Sequence, residues 1–99
     1  MQQVKNLIEA AWEDRSLLSD SVTQDAIREV IELIDGGTLR VAEPKGDDWQ
    51  VNEWVKKAVV LYFPIQKMEK LEVGIFEYHD KMPLKKGYQD KGIRVVPNA

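Results

Sequence analysis

The chain has 99 residues, which suits one domain that buries roughly 60–65% of the surface exposed by its unfolded chain. A share of 43% hydrophobic and 31% charged residues is typical of a soluble globular protein and excludes an intrinsically disordered one. A net charge of -3 argues against nucleic-acid binding, and the absence of cysteine excludes disulfides and thiolate chemistry.

The sequence also lacks the marks of export and of membrane insertion. The opening MQQVKNLIEAAW has a helical period and an acidic residue in place of the basic and apolar regions of a signal peptide. No apolar run approaches the roughly 20 residues of a membrane span. We therefore expect a cytoplasmic protein that binds neither membrane nor nucleic acid.

The first segment has apolar residues at the spacing of one helix face, which predicts a helix over residues 2–14. These residues are Val4, Leu7, Ile8, Ala11 and Trp12. The stretch SLLSDSVTQ follows, and its serine and aspartate side chains compete for backbone hydrogen bonds. A loop is predicted there.

A second helix is predicted to begin near Ser21, which has the spacing of a capping box with Gln24, while Thr23 is an alternative cap. Gly36-Gly37 is expected to end this helix through a left-handed residue. The inward-facing positions are Ala26, Ile27, Val30, Ile31 and Ile34.

Apolar and other residues then alternate, first at Leu39 and Val41 and again at residues 49–51, with turn residues between the two stretches. This predicts a short β-hairpin with a longer loop that includes Pro44, Gly46, Asp47 and Asp48.

A third helix is predicted over residues 53–63, capped by the side chain of Asn52 and ended by Pro64. It is apolar on nearly all sides and therefore needs cover on two of them. Its apolar residues are Trp54, Val55, Ala58, Val59, Leu61 and Tyr62.

From Gln66 onward the periodicity weakens. KLEVGIFEY alternates, HDKMPLKKGYQDKG is typical of a loop, and IRVV is typical of a strand that meets a turn at Pro97-Asn98. The predicted fold is thus α+β and mainly helical: one domain over residues 1–99 with three helices, a β-hairpin and a C-terminal extended arm.

Few residues are candidates for chemistry. His79, the only histidine, lies beside Glu77 and Asp80, so a metal site or a His–Asp catalytic pair is conceivable. Glu77 and His79 alone make a poor ligand set, and a surface histidine in a loop is favoured. Ser16, Ser19 and Ser21 lie in a capping loop, where a nucleophile is not expected. The Asp47-Asp48 pair could act as acid and base or hold a cation, but such residues are typical of a hairpin loop.

The lysines 56, 57, 81, 85, 86 and 91 could gather an anion, but a solvated surface is the favoured interpretation. Trp12, Trp49 and Trp54 are expected to be core or interface anchors. We predict no catalytic, substrate-binding or metal-binding residue in this chain.

Several stretches together resemble a known family. They are LRVAE at residues 39–43, the run from Trp49 to Phe63, DKMPLK at 80–85 and GIRVVP at 92–97, with the opening QQVKNLIEAAWEDR and the junction REVIELIDGGTLRVAE. In this order they resemble the N-terminal domain of bacterial tetrahydrodipicolinate N-succinyltransferases.

The resemblance implies an acyltransferase that moves succinyl from succinyl-CoA to tetrahydrodipicolinate, on the succinylase route to diaminopimelate and lysine. An amine of the opened substrate attacks the thioester, a carboxylate acts as base, and CoA leaves as thiolate. It also implies a homotrimer with active sites between left-handed β-helices. The arginine that holds the substrate in this family lies downstream of the RVVP stretch, so Arg94 is not equated with it.

A left-handed β-helix is written in hexapeptide repeats, and residues 1–99 contain none. We therefore expect Ala99 to mark a cut before the β-helix, and this part alone to be inactive and to bind no cofactor. Its expected partners are the rest of its own polypeptide and neighbouring subunits. The alternatives are a stand-alone protein-interaction module, a small nucleic-acid binder and, least favoured, an independent small enzyme.

Overall fold

The computed structural model describes residues 1–97, which form two compact units. The first is Met1–Lys67 and the second begins at Met68. The first unit contains three α-helices and one β-hairpin, and the second contains another β-hairpin followed by irregular chain. The predicted mainly helical α+β class is confirmed, and part of the predicted extended arm is a second hairpin.

Helix α1 spans Gln2–Glu13, within one residue of its prediction. It ends because Asp14 is extended, and the Asp14 carboxylate then caps a short 3-10 helix, Arg15–Ser19. Ser16 donates to this carboxylate from its backbone N–H at 3.1 Å and from its hydroxyl at 2.6 Å. The predicted loop is therefore wrong for residues 16–19, since the Asp14 carboxylate caps the start of a helical turn there.

Helix α2 spans Ser21–Asp35, and its N-cap is Asp20. The Asp20 carboxylate accepts from the Val22 N–H at 2.9 Å, so the predicted caps at Ser21 and Thr23 are wrong. Aspartate caps as well as serine does, and Asp20 has the extended backbone that a cap requires. The Gln24 amide, predicted to complete the box, donates instead to the Leu18 carbonyl at 2.7 Å.

The predicted glycine stop of α2 is confirmed. Gly36 is the C-cap in a right-handed conformation, and Gly37 follows with φ at +81°. The Thr38 N–H donates to the Leu33 carbonyl at 2.9 Å, and the Gly37 N–H donates to the Ile34 carbonyl at 3.0 Å. These two bonds form a Schellman motif, which satisfies carbonyls left open at the helix end.

Strands β1 (Ala42–Lys45) and β2 (Asp48–Val51) form the predicted hairpin, with Ala42 opposite Val51. Only Gly46 and Asp47 connect them, so the longer predicted loop is wrong, and Pro44 and Asp48 lie in the strands. Pro44 is tolerated because each strand of a two-stranded sheet is an edge, where a missing N–H need not break the pairing.

Helix α3 spans Glu53–Ile65 and continues through Pro64, which was predicted to end it. The fixed φ of proline is compatible with a helix, and Pro64 lies next to the C-terminal end of α3, so the free-energy cost of its missing N–H is small there. Asn52 occupies the N-cap position, but its side chain makes no cap bond. Its amide donates instead to the Arg40 carbonyl at 2.8 Å, which ties the helix start to the segment before β1.

The three helices of the first unit enclose its core. Nearly all of the predicted inward positions are buried or pack on that core. The buried hydrophobic residues are Ile8, Ala11, Ala26, Ile27, Val30, Val55, Ala58, Leu61 and Tyr62. Arg28 of α2 reaches the end of α3, donating to the Ile65 carbonyl at 3.4 Å and to the Gln66 side chain at 3.3 Å.

In the second unit, β3 (Glu69–Val73) pairs antiparallel with β4 (Phe76–Asp80) around a turn that begins at Gly74, φ +59°. Farther on, the Ile93 N–H donates to the Tyr88 carbonyl at 2.9 Å. The predicted strand near residues 93–96 is not formed in the part of the chain described here. Asn98 and Ala99, on which the predicted turn and chain end depend, lie outside the described residues.

Candidate functional site

His79 lies in β4 and not in a loop. It is paired with Lys70, and it shares one face of the hairpin with Glu77. Asp80, the next residue, lies on the other face because side chains alternate along a strand. Lys70 bridges Glu72 at 2.9 Å and Glu77 at 3.8 Å, so these groups form an exposed charged face. Within residues 1–97 no three His, Asp or Glu side chains are grouped to hold a metal ion.

The candidate serines and aspartates of the first unit serve its local structure. The Ser16 hydroxyl binds Asp14, and the Ser19 hydroxyl donates to the Ser16 carbonyl at 2.9 Å. The hydrogen bonds from the Ser16 side chain and backbone lower the pKa of the Asp14 carboxyl. Asp48 accepts from the Trp49 N–H at 2.8 Å at the hairpin turn. These bonds hold in place the backbone of the 3-10 helix and of the hairpin turn.

One lysine has a specific partner across the helices. The Lys57 ammonium of α3 lies 2.7 Å from the Glu9 carboxylate of α1 and 5.7 Å from the centre of the Trp12 ring. The Arg15 guanidinium lies 4.8 Å from the same ring. Trp12 thus contacts two cations at the edge of the core, a favourable arrangement for an indole.

The other candidate lysines have different surroundings. Lys56 is exposed beside Lys57, whose charge is already paired. Lys81 and Lys85 each have an interaction partner, and Lys86 lines a cavity of the second unit. Of the tryptophans, Trp12 and Trp54 pack on the core, whereas Trp49 is 63% exposed and is not a core residue.

The second hairpin presents an apolar face that the sequence patterns did not single out. Leu71 pairs with Tyr78 and Val73 pairs with Phe76, and all four point to the same side. We call these four residues the apolar hairpin face. Each is between 39% and 51% exposed. The signal for it was present, since apolar residues alternate on both sides of the glycine turn.

Beside this face lies an open cavity of about 320 Å³. Leu71 and Tyr78 line it together with Met82, Pro83 and Leu84 of the segment after β4. The charged residues Glu69, Lys70, Asp80 and Lys86 line it as well. The surface of the cavity is mainly apolar, which suits an inserted apolar side chain better than a charged ligand.

None of the helices in residues 1–97 has both the length and the apolar character needed to cross a bilayer. The fold comprises a small helical unit and a hairpin unit that exposes apolar side chains.

Comparison with known proteins gives the family. The model of the tetrahydrodipicolinate N-succinyltransferase N-terminal family matches residues 3–65, nearly the whole first unit. The chain belongs to this family, which confirms the resemblance found in the sequence.

Individual relatives agree with this assignment. The chain is 41% identical to the 2,3,4,5-tetrahydropyridine-2,6-dicarboxylate N-succinyltransferase of Salmonella heidelberg and 44% identical to that of Yersinia enterocolitica. It is 38% identical to that of Pseudoalteromonas translucida. Each alignment covers 100% of this chain and 40% of the relative, so the chain spans well under half the length of these curated relatives.

Proposed function

We propose that this chain is the N-terminal part of a tetrahydrodipicolinate N-succinyltransferase, and that its own role is assembly around an active site built elsewhere. The observation that carries the proposal is the family match, which falls on a unit with its own hydrophobic core. The names of the relatives, aligned over the whole chain, support the same enzyme.

In the proposed reaction the full-length enzyme transfers succinyl from succinyl-CoA to tetrahydrodipicolinate, in diaminopimelate and lysine biosynthesis. The substrate amine attacks the thioester carbonyl, a carboxylate takes its proton, the carbon–sulfur bond breaks, and CoA leaves as thiolate. The groups that bind the substrate and succinyl-CoA are proposed to lie in the β-helix and between subunits of a cytoplasmic homotrimer.

The surface of α3 supports an assembly role. Its inner residues are buried in the core, but Val60 is 43% exposed and Phe63 is 46% exposed on the same helix. Val60 and Phe63 are three positions apart and so lie next to each other on one side of the helix. Adjacent exposed apolar side chains of this kind are typical of surfaces that pack against other protein. We infer that this side of the helix contacts the rest of the enzyme.

The test begins with the encoding gene past the codon for Ala99. Hexapeptide repeats there support the proposal. The full-length protein and the 99-residue chain are then assayed with succinyl-CoA and tetrahydrodipicolinate, by release of the CoA thiol. We expect turnover for the full-length protein only, and the absence of cysteine in this chain keeps the thiol background low.

Turnover by the 99-residue chain alone would contradict an assembly role. A stop codon directly after Ala99 would favour the alternative, a stand-alone interaction module that uses the exposed apolar side of α3 to bind another protein.

A further inference from the structure

The second hairpin is amphipathic: the register of its two strands places apolar side chains on one face and charged side chains on the other. On one side it carries the apolar hairpin face. On the other side it carries Lys70, Glu72, Glu77 and His79, three of which form ion pairs. A two-sided hairpin of this kind has one surface suited to water and one suited to a protein partner.

The hairpin has little to hold it by itself. A single two-stranded sheet is marginally stable in water and needs a further strand or a packed face. Its strands have exposed residues throughout, and Ile75 at the turn is 94% exposed. Cover on the apolar hairpin face would supply the missing stabilisation.

The size of the surface matches that of a protein contact. If a fully open aromatic side chain presents roughly 150–250 Å², the exposed fractions give about 500 Å² for the apolar hairpin face with Ile75. One side of a stable interface buries roughly 800 Å², of which somewhat more than half, about 450 Å², is apolar. The apolar hairpin face with Ile75 therefore has the apolar area that a protein partner needs.

A partner joined to the same chain needs less area. Covalent linkage raises its effective concentration to about the millimolar range for short linkers, so weak contacts suffice. The curated relatives extend well beyond the region that this chain covers, and the matched family region is N-terminal by description. Such a tethered partner is therefore present in the relatives.

We propose that the apolar hairpin face docks on the polypeptide that follows this region in the full-length enzyme, and that an apolar side chain of that polypeptide enters the cavity beside Leu71 and Tyr78. The inference rests on the proposed function, since it needs the continuing chain. In this view contact with the rest of the same enzyme stabilises the hairpin.

A photo-crosslinking amino acid tests the proposal in the full-length protein. It is placed at Tyr78 on the apolar hairpin face and, as the matched control, at Glu77 on the charged face of the same strand. We expect cross-links from position 78 to residues beyond 99 of the same polypeptide, and none or far fewer from position 77. Cross-links that stay within residues 1–99, or equal patterns from both positions, would overturn the proposal.

Hydrogen exchange gives a second measurement. Amides of β3 and β4 should exchange more slowly in the full-length protein than in the 99-residue chain, by a factor of about ten or more. Equal exchange in the two proteins contradicts docking.

Activity separates the two proposals. A full-length protein that turns over succinyl-CoA but gives no long cross-links refutes the docking alone. An inactive protein whose hairpin still cross-links to the continuing chain refutes the enzymatic proposal and keeps the docking. A gene that stops after Ala99 removes both.

Discussion

The two consecutive glycines after α2 allow a sharply controlled test of the fold. Gly37 has φ at +81°, whereas Gly36 has φ at -79° and an ordinary helical conformation. A Cβ at Gly37 meets nothing within 4 Å, and a Cβ at Gly36 lies 3.4 Å from the Glu32 carbonyl oxygen. Alanine at either position therefore fits in space, and the two differ mainly in backbone conformation.

The expected magnitudes follow from that difference. A residue with a Cβ pays about 1–2 kcal/mol in the left-handed region. Alanine in place of a compatible glycine gains about 0.4–1 kcal/mol by restricting the unfolded chain. We expect Gly37→Ala to lower the free energy of unfolding by about 1 kcal/mol, and Gly36→Ala to leave it unchanged or raise it slightly.

Urea unfolding followed by tryptophan fluorescence is the assay. All three tryptophans lie in the first unit, so their emission reports the unfolding of that unit alone. With a slope near 1 kcal/mol per molar urea, typical of a small domain, the two variants should differ in midpoint by about 1 M or more. Equal midpoints would refute the assignment of the helix end to a strained left-handed residue.

Three further outcomes are expected. Leu61→Ala should lower the free energy of unfolding by about 3 kcal/mol because Leu61 is fully buried. Val60→Ala, at the exposed neighbouring position, should change it by less than about 1 kcal/mol. A similar loss for both variants in urea unfolding would contradict the placement of Leu61 in the core. Lys57→Met should cost about 0.5–1 kcal/mol by removing an ion pair and a cation–π contact, with a smaller cost at high salt, and a loss independent of salt would assign the effect to packing. In Ser16→Ala the pKa of the Asp14 carboxyl, measured by NMR titration, should rise toward its ordinary value. Because this pKa is lowered in the folded state, the carboxylate contributes stability at neutral pH, and that contribution is lost as the pH falls through the folded-state pKa. An unchanged pKa would exclude the Ser16 bonds as the cause.

The helices could be predicted because their signal is periodic and redundant. Ile8, Ile27 and Val30 repeat the same spacing as their neighbours, so no single residue decides the pattern. The glycine stop was equally predictable, since few residues other than glycine adopt the required backbone. The family resemblance, which rests on ordered stretches along the chain, identified the family correctly.

The caps and the end of α3 could not be predicted in the same way. Asp20, Ser21 and Thr23 are all good caps, and the choice among them depends on the backbone path out of the preceding 3-10 helix. Pro64 has a helical φ, and whether the helix stops before it or just after it depends on a single hydrogen bond. Such choices are decided by small free-energy differences in tertiary context.

The candidate surface was only half visible in the sequence. Leu71 and Val73 alternate in the sequence, but only the turn at Gly74 sets the register that places Phe76 and Tyr78 opposite them on the same face. Conversely, the sequence allows Lys57 to be part of an anion site, whereas the structure pairs it with Glu9 on another helix. Sequence spacing within one element does not reveal contacts between elements.

The division at Lys67 has a practical consequence for protein production. Every fully buried side chain of the described chain precedes it, whereas twelve of the eighteen exposed large hydrophobic residues among residues 1–97 follow it. A protein truncated after Lys67 should therefore still unfold cooperatively on heating and should aggregate more slowly at high concentration. The longer form should attract proteases and chaperones through residues that the short form no longer carries.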